Sequence, residues 1–305
     1  MAKRTLKELN LLDNFLFHEV ISYGNQGTFI IEKLLSAILG RKISNIRVIP
    51  QKTIYGCDTA YHGICLDAYI EGEEQESGEA KQEVYDLEPN LHYEKRGLPY
   101  RTRFYHALID SKLLETGANY ESMKNVYIIM ILPYDPFGKN RMVYTIQNRC
   151  VEDEEIVYKD GVTIIYLFTK GMKGNPSKEL SDMLKYFEDS REENAVNQDI
   201  REIHEIVKRV KSDREVSVNY MKSWEYEAWI REEAAREGKE EGFRQGIEEG
   251  KEQGIEKGIK QGIEQGIEQV IFKMLSMNMD DDIICQTTGF SKERISELAQ
   301  AYQSM

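Results

Sequence analysis

The acids of this chain that are spaced for chemistry lie on two short stretches, "GICLDAYIE" (63–71) and "VYDLEPN" (84–90). Both alternate apolar and polar residues with period two, so both read as strands. Between them runs an acidic, glycine-punctuated segment, "EGEEQESGEAKQ". If that segment closes a hairpin with its turn between Ser77 and Gly78, Asp67 stands opposite Glu88 on one face, with Cβ atoms ~5 Å apart. Two carboxylates that close repel each other and stay ionised only with a cation between them. Hard oxygen ligands at this spacing suit Mg2+, with Mn2+ as the alternative; such ions take one or two carboxylates together with water and substrate phosphate. Period two adds Asn90 to the face of Glu88, while Pro89 points away and removes a ladder donor at a strand end. A slip of one residue would send the two acids to opposite faces. Asp86 shares the face of Glu88 and reads as a solvated edge acid, with an outer ligand of the metal as the alternative. The bland reading of the whole set is the same, acids in water on an edge strand.

Whether a substrate could be anionic is a question of charge. The 305 residues carry a net charge of −13, so any contact with nucleic acid must come from a local basic patch. One such island exists: His92 to Lys112 holds five basic residues (Lys95, Arg96, Arg101, Arg103, Lys112) against Glu94 and Asp110. Arg103, His106 and Asp110 recur at helical spacing. Arg101 and Arg103 are the candidates for holding a phosphate beside the metal, a contact that positions a nucleic acid without reading its sequence. The competing reading is a solvated helix face with an internal Arg–Asp pair. Asp13 and Glu19, on the first helix, are weaker candidates for a further acid. Lys81 and Lys95 are the lysines nearest the strand motif. Trp224 and Trp229 read as packing residues rather than base-stacking platforms.

The elements that must position these groups are legible from periodicity. Phe15 to Ile21 and Phe29 to Leu39 repeat at helical spacing, and Gly40 closes the second run. Residues 99–116 read as a helix with Pro99 in its first turn and Gly117 as its C-cap. "VYIIMIL" (126–132) is a fully buried strand, "MVYTIQ" (142–147) and "VTIIYLF" (162–168) are further strands, and the chain is helical from Ser177 onward. This is an α/β or α+β domain over residues 1–190. The four cysteines show no CxxC spacing, which argues against a zinc site or a disulfide framework. No apolar run approaches a membrane span, and the first residues lack a signal-peptide core. A reducing cytoplasm is the expected address.

Taken in order, "LLDNFLFHEVI", "ICLDAYIEG", "VYDLEPN", "LPYRTRFYHALIDSKLL", "VYIIMILPYDPFG" and "TTGFSKERISEL" resemble the PD-(D/E)xK nuclease family transposases, the group related to recombination-promoting nucleases. The resemblance implies a restriction-endonuclease-like core, a mixed sheet flanked by helices. It also implies a Mg2+-dependent DNA endonuclease, with Asp67 and Glu88 as metal ligands and Asn90 as the third catalytic position. That superfamily usually carries lysine where this chain has Asn90. An amide can hydrogen-bond a water or a phosphate oxygen but brings no charge. The alternative is therefore a catalytically weakened nuclease-fold scaffold that acts through its C-terminal helices.

That C-terminal region differs in kind. A helical connector (191–237) leads into "GKEEGFRQGIEEGKEQGIEKGIKQGIEQGIEQ" (238–269), with glycine at every fourth position from Gly238 to Gly266. Each interior glycine costs a helix ~1 kcal/mol relative to alanine. Self-association of like helices along the side-chain-free ridge would offset that cost. Four residues advance ~400°, so the ridge winds with a right-handed sense. A disordered linker is the competing expectation. Residues 270–305 read as a small helical hairpin with the outline of a helix-turn-helix, in which Asp280 and Ser291 open helices on either side of Gly289.

Overall fold

The computed structural model describes residues 4–56, 62–74, 81–94 and 96–303. Helix α1 (Asn14–Ile21) starts at Asp13, whose side chain accepts the Phe15 N–H. Helix α2 (Gln26–Leu39) stops at Gly40, which takes φ +68°, the left-handed conformation that glycine adopts without a Cβ penalty. Six strands follow: β1 (Ile43–Ile54), β2 (Ile64–Glu74), β3 (Lys81–Pro89), β4 (Asn125–Leu132), β5 (Val143–Ile146) and β6 (Val162–Phe168). They form one mixed sheet in the order β1-β2-β3-β4-β6-β5. The first three make an antiparallel meander, β3, β4 and β6 run parallel, and β5 returns antiparallel at the far edge. Parallel pairing of β3 with β4 requires a crossover, and α3 (Leu98–Leu113) supplies it. Helices α4 (Lys178–Glu188) and α5 (Gln198–Ser212) follow the sheet.

The helices cover both faces. Leu16 and Phe17 of α1, Ile30 and Leu34 of α2, Leu184 and Phe187 of α4 and Ile203 and Val207 of α5 bury one face, against Ile70, Leu87, Ile129 and Leu167. Helix α3 covers the other, where Ile109 shares a cluster with Val84 and Val126, and Leu98 shares one with Ile128 and Met130. A strand covered on both sides needs apolar residues at every position, which explains the unbroken run of β4.

Strands β2 and β3 pair with Ala68 opposite Leu87 and Tyr69 opposite Asp86. The same register continued by one residue sets Asp67 opposite Glu88. The expected turn at Ser77 and Gly78 lies outside the described residues. Strand β3 is third of six, and Asp86 on it is 0% exposed. The reading of Asp86 as a solvated edge acid is therefore overturned: the strand has a neighbour on each side and α3 above it.

Two further differences from expectation have local causes. Helix α3 ends at Leu113, not at Gly117, because Leu114 turns extended. Gly117 instead occupies the third position of a turn closed by the Ala118 N–H on the Glu115 carbonyl at 3.0 Å, with φ +86°. Strand β1 has no clean alternation in its sequence. Asn45 and Gln51 take positive φ, the pairing shifts between Ser44 and Arg47, and Pro50 stands in the strand. An edge strand tolerates all three.

The chain divides into two compact units, residues 1–223 and 224–305. Helix α6 (Arg214–Ser276) begins well before the glycine repeat and runs through it without a break. Its first turns belong to the first unit, where Val216 is buried and Tyr220 packs against Phe15 at 5.0 Å. In the second unit, α7 (Asp281–Thr288) starts at Asp280 and ends at Gly289, as expected, and α8 (Lys292–Gln303) follows. Ile271, Ile284, Ile295 and Leu298 form a small core there. Among the described residues no helix is long and apolar enough to cross a membrane.

Candidate functional site

The site grows from the C-terminal end of β3, where the strand leaves the sheet. Asn90, one residue past the strand, still donates its N–H to the Ile131 carbonyl of β4 at 2.9 Å. That bond holds residues 88 to 90 in extended form and keeps Glu88 and Asn90 on one face with Asp86. Across the strand pair, the backbone N–H of Asp67 donates to Glu88 Oε1 at 2.7 Å. A ladder bond is thus replaced by a side-chain bond, and the two acids are locked together. From above, Arg101 in the first turns of α3 reaches down and pairs with Glu88 Oε2 at 2.7 Å. Asp67 Oδ2 accepts from Asn14 of α1 at 3.1 Å.

Sequence reasoning did not find three of these partners. Asn14, next to Asp13, is the α1 residue that reaches the site. Asp13 caps its own helix and pairs with Arg4, and Glu19 lies near Asp213, Glu215 and Asn219. Tyr105 takes the Arg101 Nε–H on its hydroxyl at 3.0 Å, and Glu94 pairs with Arg101 Nη1 at 3.4 Å. The spacing of Arg101 and Tyr105, four apart on α3, was the available signal. Arg103 is not brought in: it is exposed, with its guanidinium 5.6 Å from the Tyr100 ring centroid. His106 is buried and pairs with Asp110 at 2.9 Å, so the internal pair of this helix is His–Asp rather than Arg–Asp. The side chain of Lys81, and all of Lys95, lie outside the described residues. Trp229 stacks on Tyr226 on the surface of the second unit.

The electrostatics are those of too many acids in too little water. Burial, then the Glu88 charge, pushes the Asp67 carboxyl up to about 7, with Arg101 pulling the other way. Asp86 is held well above the usual carboxylate range by burial first, then by Glu88 and Asp67. Neither of its oxygens finds a donor among the described residues. A neutral Asp86 carboxyl that shares its proton with Glu88 accounts for both facts. Glu88 is also raised by burial, against the lowering pull of the Asp67 N–H and Arg101. Asn90 is 4% exposed; its Oδ1 accepts the His92 N–H at 2.9 Å, and its Nδ2 has no partner among the described residues. An open cleft lined by Tyr93, Glu94, Arg96, Pro99 and Phe137 adjoins the site at Glu94.

The donor chemistry fits a hard divalent cation. Asp86 and Glu88 are buried and Asp67 half-buried, the donors are all oxygen, and among the described residues one guanidinium compensates them; acids so placed attract a cation or a proton. Among the described residues no group of three or more His, Cys, Asp and Glu side chains stands as a ligand set. The fit is accordingly that of Asp67 and Glu88 with solvent, the sparse coordination Mg2+ accepts. Comparison of the chain with models of protein families, with curated proteins and with solved structures gives no match.

Proposed function

We propose that this protein hydrolyses phosphodiester bonds in DNA, with Asp67 and Glu88 holding a Mg2+ or Mn2+ ion. The observation that carries the reading is the hydrogen-bonded coupling of Asp67 to Glu88 at the mouth of a mixed sheet, with Asn90 one step further along. That arrangement suits the restriction-endonuclease-like core which the sequence motifs resemble. The bound ion would supply Lewis-acid stabilisation of the scissile phosphate. Asn90 would offer its unpartnered amide Nδ2–H to a water or a phosphate oxygen. Arg101 would hold the phosphate from α3, and the exposed Arg103 would steer the backbone from further out. A second copy of the chain would associate through α6, which exposes Phe243, Ile255, Ile259 and Ile263 along the glycine repeat. Paired copies suit paired cuts on two strands.

Nicking of supercoiled plasmid by the purified chain tests this. The expected outcome is nicking with Mg2+ or Mn2+, none with EDTA, and none from Asp67→Ala or Glu88→Ala proteins that keep the wild-type circular dichroism. Nicking that survives either substitution removes the site. One observation favours a second reading, a scaffold with a weakened site: Arg101 already occupies Glu88; the superfamily that the motifs resemble would in addition bring a lysine's charge where this chain has Asn90. In that case no metal restores nicking, while association through α6 persists.

A further inference from the structure

Both oxygens of Glu88 are taken. Oε1 holds the Asp67 N–H and Oε2 holds Arg101, each at 2.7 Å. Arg101 is itself held at three points: Nη2 on Glu88, Nη1 near Glu94 and Nε on the Tyr105 hydroxyl. Among the described residues no other lysine or arginine pairs with Asp67, Asp86 or Glu88. The guanidinium is therefore the counter-ion of a cluster of three acids, placed on one of the two carboxylates that would ligate a metal.

We propose that Arg101 is the resident cation of this site and that a divalent ion enters by displacing it, guanidinium and metal competing for Oε2 of Glu88. The inference rests on the reading of Asp67 and Glu88 as metal ligands. Exchange of one cation for another spares the protein a state in which buried carboxylates lack a counter-charge, which is costly. Arginine suits the task because it stays charged at any working pH and its planar fork matches a carboxylate. Once displaced, Arg101 remains on α3 beside Glu94 and Tyr105. It is then free to meet a phosphate, and only then. The order of binding follows: metal first, phosphodiester second.

Calorimetric titration of Mn2+ alone into the full chain reads the competition without any turnover. Arg101→Gln should bind Mn2+ about tenfold or more tighter than wild type, the scale of one charge-assisted hydrogen bond removed from the competition. Adding Glu88→Gln to that variant should cancel the gain. Arg101→Lys keeps the charge but loses the fork, so its affinity should fall between wild type and Arg101→Gln. If Arg101→Gln binds no tighter than wild type, displacement is overturned while the ligand assignment stands. If Arg101→Lys matches wild type and only Arg101→Gln gains, the effect is charge at a distance, which also overturns it. If no protein in the series binds Mn2+, the ligand assignment and the displacement fall together. Should Arg101→Gln not fold, Arg101→Lys decides alone: tighter binding than wild type supports the exchange, and equal binding overturns it.

Discussion

Strand β3 buries a glutamate at each end, and the two ends are built on opposite principles. Glu83, near its start, is 1% exposed and surrounded by donors. Arg41 pairs with its Oε2 at 2.7 Å, and the Tyr85 hydroxyl donates to the same oxygen. Asn125 and the Tyr127 hydroxyl donate to Oε1 at 3.2 and 3.1 Å. Here one acid meets four donors. At the other end three acids share one arginine, and Asp86 has no donor at all among the described residues. A satisfied buried network rigidifies; an under-satisfied one is a liability unless something else completes it. The same strand therefore carries a structural tie on one face and, five residues on, an opening for chemistry on the other.

The largest effect that would test this contrast is on the tie. Glu83→Ala takes the buried carboxylate away from the Arg41 guanidinium and removes the acceptor of two tyrosines and an asparagine. A loss of about 3–5 kcal/mol is expected, the usual result of breaking a buried ion pair from one side. Urea unfolding followed by circular dichroism measures it. Mn2+ affinity of the folded fraction should stay at the wild-type value. A small stability loss, or a lost metal site, would show that the two ends are one network.

The second effect is smaller and opposite in sign. Asp67, Asp86 and Glu88 are all raised in the folded chain. The native state thus keeps protons that the unfolded chain has released between about pH 4 and the Asp67 value of about 7. Stability from these groups is present at low pH and lost as pH rises through that window. Asp86→Asn removes the most buried of the three. In EDTA it should stabilise the protein by about 1–2 kcal/mol at pH 8 and by little at pH 4. Urea midpoints of wild type and variant across that range give the difference directly. A variant less stable than wild type at pH 8 would mean that Asp86 is ionised and held by a partner.

How much of this could be read beforehand follows the same divide. The pairing of Asp67 with Glu88 was legible because two alternating stretches flank a segment with a glycine at its midpoint, and period two leaves few registers. The buried β4 and the stops at Gly40 and Gly289 were legible for similarly local reasons. Strand β1 was not, because its left-handed Asn45 and Gln51 break the alternation that marks a strand. The burial of Asp86 was hidden because an acid on a strand looks the same whether water or a helix lies above it. The Arg101–Glu88 pair joins two elements that only the crossover brings together. An arginine in a basic island suggests a phosphate before it suggests a carboxylate. The helical connector before the glycine repeat was legible, because residues 214–237 hold neither glycine nor proline, and α6 runs from Arg214 through them into the repeat.

The smallest effect per substitution concerns those glycines, and it separates the second unit from the first. At all eight, from Gly238 to Gly266, a Cβ would meet nothing within 4 Å among the described residues of the single chain. Nothing among the described residues of one molecule explains their spacing, and bulk at these positions should do no harm to a lone helix. Alanine at Gly250, Gly254 and Gly258 should strengthen the helix by ~1 kcal/mol each through propensity alone. Leucine at the same three positions also favours helix, so both variants should gain ellipticity. They part only if a second backbone lies close along the ridge. Light scattering should then show the leucine variant losing oligomer mass and the alanine variant keeping it. Residues 1–223, which form a compact unit, should be monomeric and should bind Mn2+ with the affinity of the full chain. If the leucine variant keeps its mass, the ridge is not a contact. If the truncated chain keeps the full-length oligomer, association belongs to the sheet domain, and the contrast between a chemical unit and an assembling one fails at its second term.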